Sequence, residues 1–310
     1  MKQIIVDAFG DPSHLHLVDA PEPTGEVVVD VKATGVNYAD LMQREGMYLG
    51  GPKPPFVPGG EAAGVVVSGA LPAGTRVMLT AKGGCYAERV GVRAFQCVPL
   101  PDSIDFVHGA AFPFTFLTAY HALTTVAHAH PGETVLVHAA AGGVGTAAVQ
   151  IAKLLGLHVI ATASSEDKRE KVRALGADVV VDYDGFEAAA REAGGASIVL
   201  ESVGGEVFKK SLAVTRPLGR LVMFGIATKD AQPIDPLKLL FGSRAVMGFH
   251  LESVFSQPKL LASSLALLLD HVLAGRLAIT VGHTFALAEA RAAHELVASR
   301  GSYGKVVLVP

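Results

Sequence analysis

Two hydrophobic rhythms divide the chain. Over the first hundred residues, short apolar runs are cut by glycine and proline: EVVVDVKATGV at 26–36, AAGVVVSG at 62–69, TRVMLT at 75–80 and AERVGV at 87–92. Short strands at such spacing predict a small β-barrel or sandwich. The stretch GMYLGGPKPPFVPGG at 46–60 is too rich in Gly and Pro for regular structure and predicts a long ordered loop or a lid.

Near residue 108 the rhythm changes. HGAAFPFTFLTAYHALTTVAHA predicts one or two helices, with Pro113 breaking or starting one of them. Buried strands then alternate with helices. TVLVHAAA at 134–141 is a strand, and GTAAVQIAKLLG at 145–156 a helix ended by Gly156. HVIATAS at 158–164 is a strand. SEDKREKVRALG at 165–176 is a helix with a Ser cap and a closing Gly176. The runs 178–183, 196–203, 219–225 and 245–250 continue the strands. Continuous apolar strands alternating with helices predict a parallel sheet covered on both faces. In the tail, 263–275 and 287–300 read as helices, 278–287 as a strand and turn, and GKVVLVP at 304–310 as a last strand returning to the N-terminal domain. The expected division is residues 1–115 with 256–310 in one domain and 116–255 in the other.

Composition narrows the function classes. The 310 residues are half hydrophobic and 18% charged, as in a folded globular protein. No apolar run approaches the ~20 residues that cross a bilayer. The N-terminus lacks a secretory pattern, so a cytoplasmic protein without a membrane partner is expected. A net charge of −3 with interleaved signs argues against a nucleic-acid surface. Cys85 and Cys97 are the two cysteines. They are too few for a four-thiolate zinc site or a disulfide framework.

The strongest chemical signal is the loop Ala139–Gly145 between a strand and a helix. Glycines there let a backbone approach a pyrophosphate, and the N–H groups that open the helix point at it. Against the pattern G-x-G-x-x-G, the glycine places hold Ala140, Gly142 and Gly145, so the first is not glycine. Dinucleotide sites for NAD place an acid at the tip of the second strand. Here the tip is Ala163, Ser164 and Ser165, with Lys168 and Arg169 just beyond. Hydroxyls and a cation favour a 2′-phosphate, hence NADPH. Glu166 and Asp167 weaken that reading unless they sit on the helix away from the phosphate.

At this point the chain resembles a known family. GVNYAD (35–40), REGMY (44–48), PGGEAAGVV (58–66), FPFTFLTAYHAL (112–123), HAAAGGVGTAAVQIAK (138–153) and GKVVL (304–308) are similar to the medium-chain dehydrogenase/reductase superfamily. Within it they resemble the zinc-free, zeta-crystallin-like quinone oxidoreductase branch. The resemblance covers almost the whole chain, with the motifs in order. It implies an α/β fold: a GroES-like β-barrel catalytic domain plus a Rossmann domain with a doubly wound parallel sheet. It also implies homodimers or homotetramers. Zinc-dependent members carry Cys where this chain has Asn37, and Gly-His-Glu where it has Gly59, Gly60 and Glu61. No metal is therefore expected, and Asp40 and Glu61 are expected to cap turns and pair with cations.

Site residues follow from the resemblance one by one. Asn37 is implied at the nicotinamide ribose and Tyr48 in the active-site cleft. Ala141, Gly142, Gly143, Val144 and Gly145 are implied at the pyrophosphate. Lys168, with Ser164 and Ser165, is implied at the 2′-phosphate, and Tyr183 at the adenosine ribose. Val203 and Gly204 are implied on the adenosine side, Phe224 and Gly225 near the nicotinamide, and Arg300 at the 2′-phosphate. Met42 stands where relatives often carry a second tyrosine.

Without a Lewis acid, a conjugated acceptor suits hydride addition best, because the charge spreads over the acceptor. The expected activity is NADPH-dependent reduction of a quinone or an α,β-unsaturated carbonyl, with Tyr48 as proton donor or relay. Two rivals stand beside it: an enoyl-thioester reductase acting on an acyl carrier or coenzyme A substrate, and an NADPH-binding structural or regulatory protein without turnover.

Overall fold

The computed structural model describes all 310 residues. The first strands are β1 (Lys2–Val6), β2 (Leu15–Asp19), β3 (Val27–Val36), β4 (Glu61–Gly69), β5 (Arg76–Thr80), β6 (Arg89–Val92) and β7 (Cys97–Pro99), with helix α1 (Tyr38–Arg44) after β3. Helices α2 (Phe106–Ala111) and α3 (Pro113–His121) follow. Next come β8 (Thr134–Val137), α4 (Gly143–Leu154), β9 (His158–Thr162), α5 (Glu166–Ala174) and β10 (Val179–Val181). The series continues with α6 (Phe186–Glu192), β11 (Ala196–Glu201), α7 (Gly205–Val214), β12 (Thr215–Met223), α8 (Pro236–Gly242) and β13 (Ala245–Gly248). The tail holds α9 (Glu252–Phe255), α10 (Pro258–Leu273), β14 (Val281–Ala286), α11 (Ala290–Ala298) and β15 (Lys305–Val309).

These elements form two compact units. The first comprises Met1–Phe114, Val254–Leu267 and Ile279–Pro310. Its main sheet runs β14-β15-β3-β4-β5-β7, with β6 also on β3. The last strand returns to the N-terminal part as expected, pairing Val306 with Val36 and Val307 with Gly35 in antiparallel register. That pairing brings Lys305 beside the end of β3, from which α1 starts. Val27, Val29 and Val31 point one way from β3 into a core with Val66, Val77 and Leu79, which is the period-two pattern of a half-buried strand. On the other side Val36, Leu41, Tyr86, Val306 and Leu308 pack together.

The second unit comprises Thr115–Ser253 and Leu268–Ala278. Its six strands are parallel in the order β10-β9-β8-β11-β12-β13. Counted within this sheet the order is 3-2-1-4-5-6, that of a dinucleotide-binding fold. Both β8 and β11 are buried along their whole length. Residues 268–278 group with this unit rather than with the barrel to which the sequence reading gave them. Gln150 holds Ala278 from both sides, donating to its carbonyl and accepting from its N–H. Pro113 opens α3, and α3 continues into a π-helical turn over Ala122–Val126. No helix is long and apolar enough to cross a membrane.

Candidate active site

In the second unit, the chain leaves β8 at Val137 and turns into α4. Ala139 takes a left-handed backbone (φ 48°), Gly142 caps the helix, and the first helical N–H groups belong to Gly143, Val144 and Gly145. Those groups have no partner within the helix and face outward from its positive end. The two later glycines do different work. A Cβ on Gly145 would lie 2.3 Å from the Ala139 carbonyl oxygen and 2.5 Å from Ala140 Cα, so glycine is required for the helix to approach the strand. A Cβ on Gly142 would meet only the Ala139 oxygen, at 3.3 Å. A side chain there is far less obstructed than at Gly145, and its absence leaves the backbone accessible to a phosphate. This loop therefore fits a dinucleotide.

Tyr183 follows β10 and reaches this turn: its hydroxyl accepts from the Ala139 N–H at 3.1 Å, and its ring lies nearly parallel to that of His138. Ser164 and Ser165 are exposed at the tip of β9, and Ser165 caps α5. Glu166 is engaged by cations of its own helix. It is bound by Arg169 (2.8 Å) and Arg173 (2.7 Å), while Asp167 pairs with Lys171 at 2.9 Å. Lys168 is half-buried on the same turn, and partial burial holds its ammonium below the ordinary value. Val203 and Gly204 follow β11, and Phe224 and Gly225 follow β12, with the Phe224 N–H bonded to the Glu201 carbonyl at 3.0 Å. All of these residues lie in one unit. Arg300 does not: it is exposed after α11 in the first unit.

Beneath the phosphate turn lies a buried polar chain. The Glu201 carboxylate accepts from the Val203 N–H (2.6 Å) and the Gly204 N–H (2.9 Å), and from the Ser211 hydroxyl at 3.2 Å. Ser211 also meets His138 Nε2 at 2.7 Å, and His138 Nδ1 meets the Thr162 hydroxyl at 3.1 Å. Burial pushes His138 down to about 3, so it is neutral near pH 7. Burial raises Glu201 while its two backbone donors pull the other way. The chain ties together the ends of β8, β9 and β11.

In the first unit, Asn37 ends β3 and caps α1. Its backbone N–H donates to Asp40 at 2.8 Å, which closes a capping box. Its side chain lies between two buried charges. The amide nitrogen donates to Glu61 Oε1 at 3.0 Å, and the amide oxygen accepts from Lys305 Nζ at 2.5 Å. Lys305 and Glu61 themselves pair at 2.5 Å, with side chains 4% and 0% exposed. The other Glu61 oxygen accepts the Phe114 N–H at 2.8 Å. Asp40 and Glu61 thus have the capping and pairing roles expected of them. Asp40 also accepts from the Tyr86 hydroxyl, which meets His294 Nε2, both at 3.2 Å. Burial raises Asp40 to about 6, against the pull of the Asn37 N–H and the Lys305 charge. Burial, with Arg44 adding to it, brings His294 down to about 3. Tyr48 lies half-buried in the 46–60 loop, where its carbonyl accepts from the Gly51 N–H.

Asn37 and Gly60 stand at the places of two zinc ligands of the zinc-dependent dehydrogenases. No three His, Cys, Asp or Glu side chains stand close enough to share an ion. At Gly60, where zinc dehydrogenases carry histidine, a Cβ would lie 2.5 Å from the ring of Phe114. The tip of the Phe114 ring lies against Gly60. Lys305, Tyr86 and His294 carry the site's interior, yet the sequence reading assigned them no role. The one available signal was Lys305 itself, a charge opening an otherwise apolar strand.

Comparison with known proteins agrees with both units. Residues 23–102 match the family model "Alcohol dehydrogenase GroES-like domain", and residues 143–266 match "Zinc-binding dehydrogenase". The synaptic vesicle membrane protein VAT-1 homologs of human and zebrafish are each 31% identical, over 94% and 92% of this chain. The chain spans 80% of the human protein and 64% of the zebrafish one. A quinone oxidoreductase from Thermus thermophilus, solved alone and with NADPH, is 42% identical with a TM-score of 0.89, covering 100% of both chains. A mycobacterial protein solved with NADPH is 33% identical with a TM-score of 0.96, again over 100% of both. With a GroES-like unit, a Rossmann unit and full-length relatives of this kind, the chain belongs to the medium-chain dehydrogenase/reductase superfamily, in its quinone oxidoreductase branch.

Proposed function

We propose that this protein is an NADPH-dependent oxidoreductase that reduces a quinone or an α,β-unsaturated carbonyl without a metal ion. The observation that carries the reading is the phosphate turn, where a strand, a glycine-bearing loop and the N–H groups that open α4 follow one another. The acid-free tip at Ser164 and Ser165, with Lys168 beside it, supports NADPH over NADH. The relatives solved with NADPH support the same choice. When bound, the cofactor supplies the hydride.

The chain's own residues bind and orient. The N–H groups of the 141–145 turn hold the pyrophosphate, Tyr183 the adenosine ribose, and Val203, Gly204, Phe224 and Gly225 line the remaining strand ends. Asn37 offers a hydrogen-bond donor at the nicotinamide ribose, and Tyr48 delivers or relays the proton. Metal independence rests on Asn37 and on Gly60 at the two places where zinc dehydrogenases keep ligands. A conjugated acceptor needs only such donors, because the added charge is delocalised.

The test is an NADPH oxidation assay over a panel of quinones, enones and enoyl thioesters, repeated with NADH. Turnover confined to enoyl thioesters, or binding with no turnover, contradicts this assignment. A Tyr48→Phe variant should lose turnover, and full activity in it removes the proton-donor role. We also propose a homo-oligomer. In the second unit, Leu218 (83% exposed), Leu240 (68%) and Phe241 (83%) lie open, and β13 ends the sheet with an unpaired edge. Phe241→Glu should shift the protein to monomer in sedimentation, and an unchanged sedimentation coefficient would argue otherwise.

A further inference from the structure

Lys305 and Glu61 do more than neutralise each other, because Asn37 is bonded to both. A primary amide can be placed in either of two orientations, and only its partners decide between them. Lys305 has donors only, and a charged Glu61 has acceptors only. The Asn37 oxygen is therefore fixed toward Lys305 Nζ at 2.5 Å and its nitrogen toward Glu61 Oε1 at 3.0 Å. One N–H of the amide is consumed by Glu61. The other N–H is left without a partner among these two groups, and in this orientation it is a donor.

The surroundings are shaped around the pair. Glu61 is anchored a second time through the Phe114 N–H at 2.8 Å, and its own carbonyl accepts from Thr34 at 2.7 Å. A Cβ on Gly35 would lie 2.6 Å from Glu61 Oε1 and 2.8 Å from Lys305 Cε, so that glycine leaves room for the ion pair. A buried ion pair is weak evidence for stability alone, since apolar replacements are often as stable. Its value here lies in direction.

We propose that Lys305 is a positioning residue: with Glu61 it locks the Asn37 amide so that its second N–H is presented as a hydrogen-bond donor to an oxygen of the cofactor ribose or the substrate. The inference rests on the reading of Asn37 given above. In place of the charge of a metal ion, the first unit uses a fixed ammonium that acts through an asparagine.

The test uses the full chain. A crystal structure of the unsubstituted protein should show Lys305 Nζ bonded to both Asn37 and Glu61; an ammonium directed elsewhere overturns the proposal. The second arm is the double variant Lys305→Met with Glu61→Gln, which removes both charges and leaves no unpaired ion. It should fold with an unfolding midpoint close to that of the unsubstituted protein and still bind NADPH through the phosphate turn. Its kcat for 1,4-benzoquinone should nevertheless fall about 100-fold, the scale of a misplaced reacting group, with KM little changed. The Asn37 amide should be rotated or disordered in its crystal structure. Recovery of kcat together with stability, or an unmoved Asn37, would show that the pair only balances charge and would overturn the proposal. If the unsubstituted protein reduces no acceptor, the functional reading fails, and the position of Asn37 in the double variant alone decides the inference.

Discussion

The two units bury their acidic groups in opposite ways. In the Rossmann unit, Glu201 is held by two backbone N–H groups and a serine, beside a neutral histidine and with no cation bonded to it. In the GroES-like unit, Glu61 faces an ammonium, and an asparagine spans the two. The first arrangement is made largely from the loop that follows its own strand, and it fixes where the strand ends stand. The second joins residues 24 and 268 positions from Asn37, and it fixes the direction of one side chain. One cluster ties strand ends together; the other orients a single amide.

The comparison breaks most sharply at Lys305. Lys305→Met alone leaves Glu61 buried and unpaired and should cost about 3–5 kcal/mol in denaturant unfolding. No such loss is expected on removing an exposed cation such as Lys171, whose pair should be worth about 0–1 kcal/mol.

Next in size is the response to acid. His138 and His294 both stand at about 3 in the folded chain, well below the unfolded value near 6.5. Their contribution is complete above pH 6.5 and is lost as pH falls toward 3, about 3 kcal/mol each by pH 4. Asp40 works in the opposite sense. Raised to about 6, it contributes most below pH 3.8, and that contribution disappears as pH rises through 6. It therefore offsets about 2 kcal/mol of the acid loss in the first unit. Asp40→Asn should make the decline in Tm between pH 6 and 4 steeper, and a decline of unchanged slope would refute this balance.

The phosphate turn offers a finer separation. Gly145→Ala forces a Cβ against backbone atoms and should destabilise by about 1–3 kcal/mol in denaturant unfolding. Gly142→Ala meets a single backbone oxygen at 3.3 Å, so its cost in stability should be smaller, about 1 kcal/mol or less. NADPH affinity should nonetheless fall about tenfold or more, equivalent to about 1.4 kcal/mol. The smallest effect is expected at Lys168. Lys168→Ala should weaken NADPH several-fold while leaving NADH unchanged, as titration by NADPH fluorescence would show; equal losses for both coenzymes would remove Lys168 from the 2′-phosphate.

What the sequence discloses depends on how far apart the cooperating residues lie. The Rossmann half is legible because strand, turn and helix are consecutive, and the apolar runs of β8 and β11 have the signature of strands buried on both faces. The non-glycine at Ala140 causes no conflict: the left-handed residue of the turn is Ala139, and Ala140 is simply buried. In the other half, Asn37 stands in a local motif, whereas the ammonium bonded to its amide lies 268 positions away. Lys305 opens the last strand, and Tyr86 and His294 are 208 residues apart. No local periodicity encodes such a meeting; it exists only once β15 lies against β3. Helix α1 is not legible in the pattern either, because seven residues are too short for a clear period and its evidence is the Asn37–Asp40 capping box.

The most direct test of the whole account is NADPH oxidation by the chelator-treated, zinc-free protein with 1,4-benzoquinone as acceptor. The account predicts turnover undiminished by metal removal. Activity that vanishes with the chelator and returns on adding zinc would contradict it.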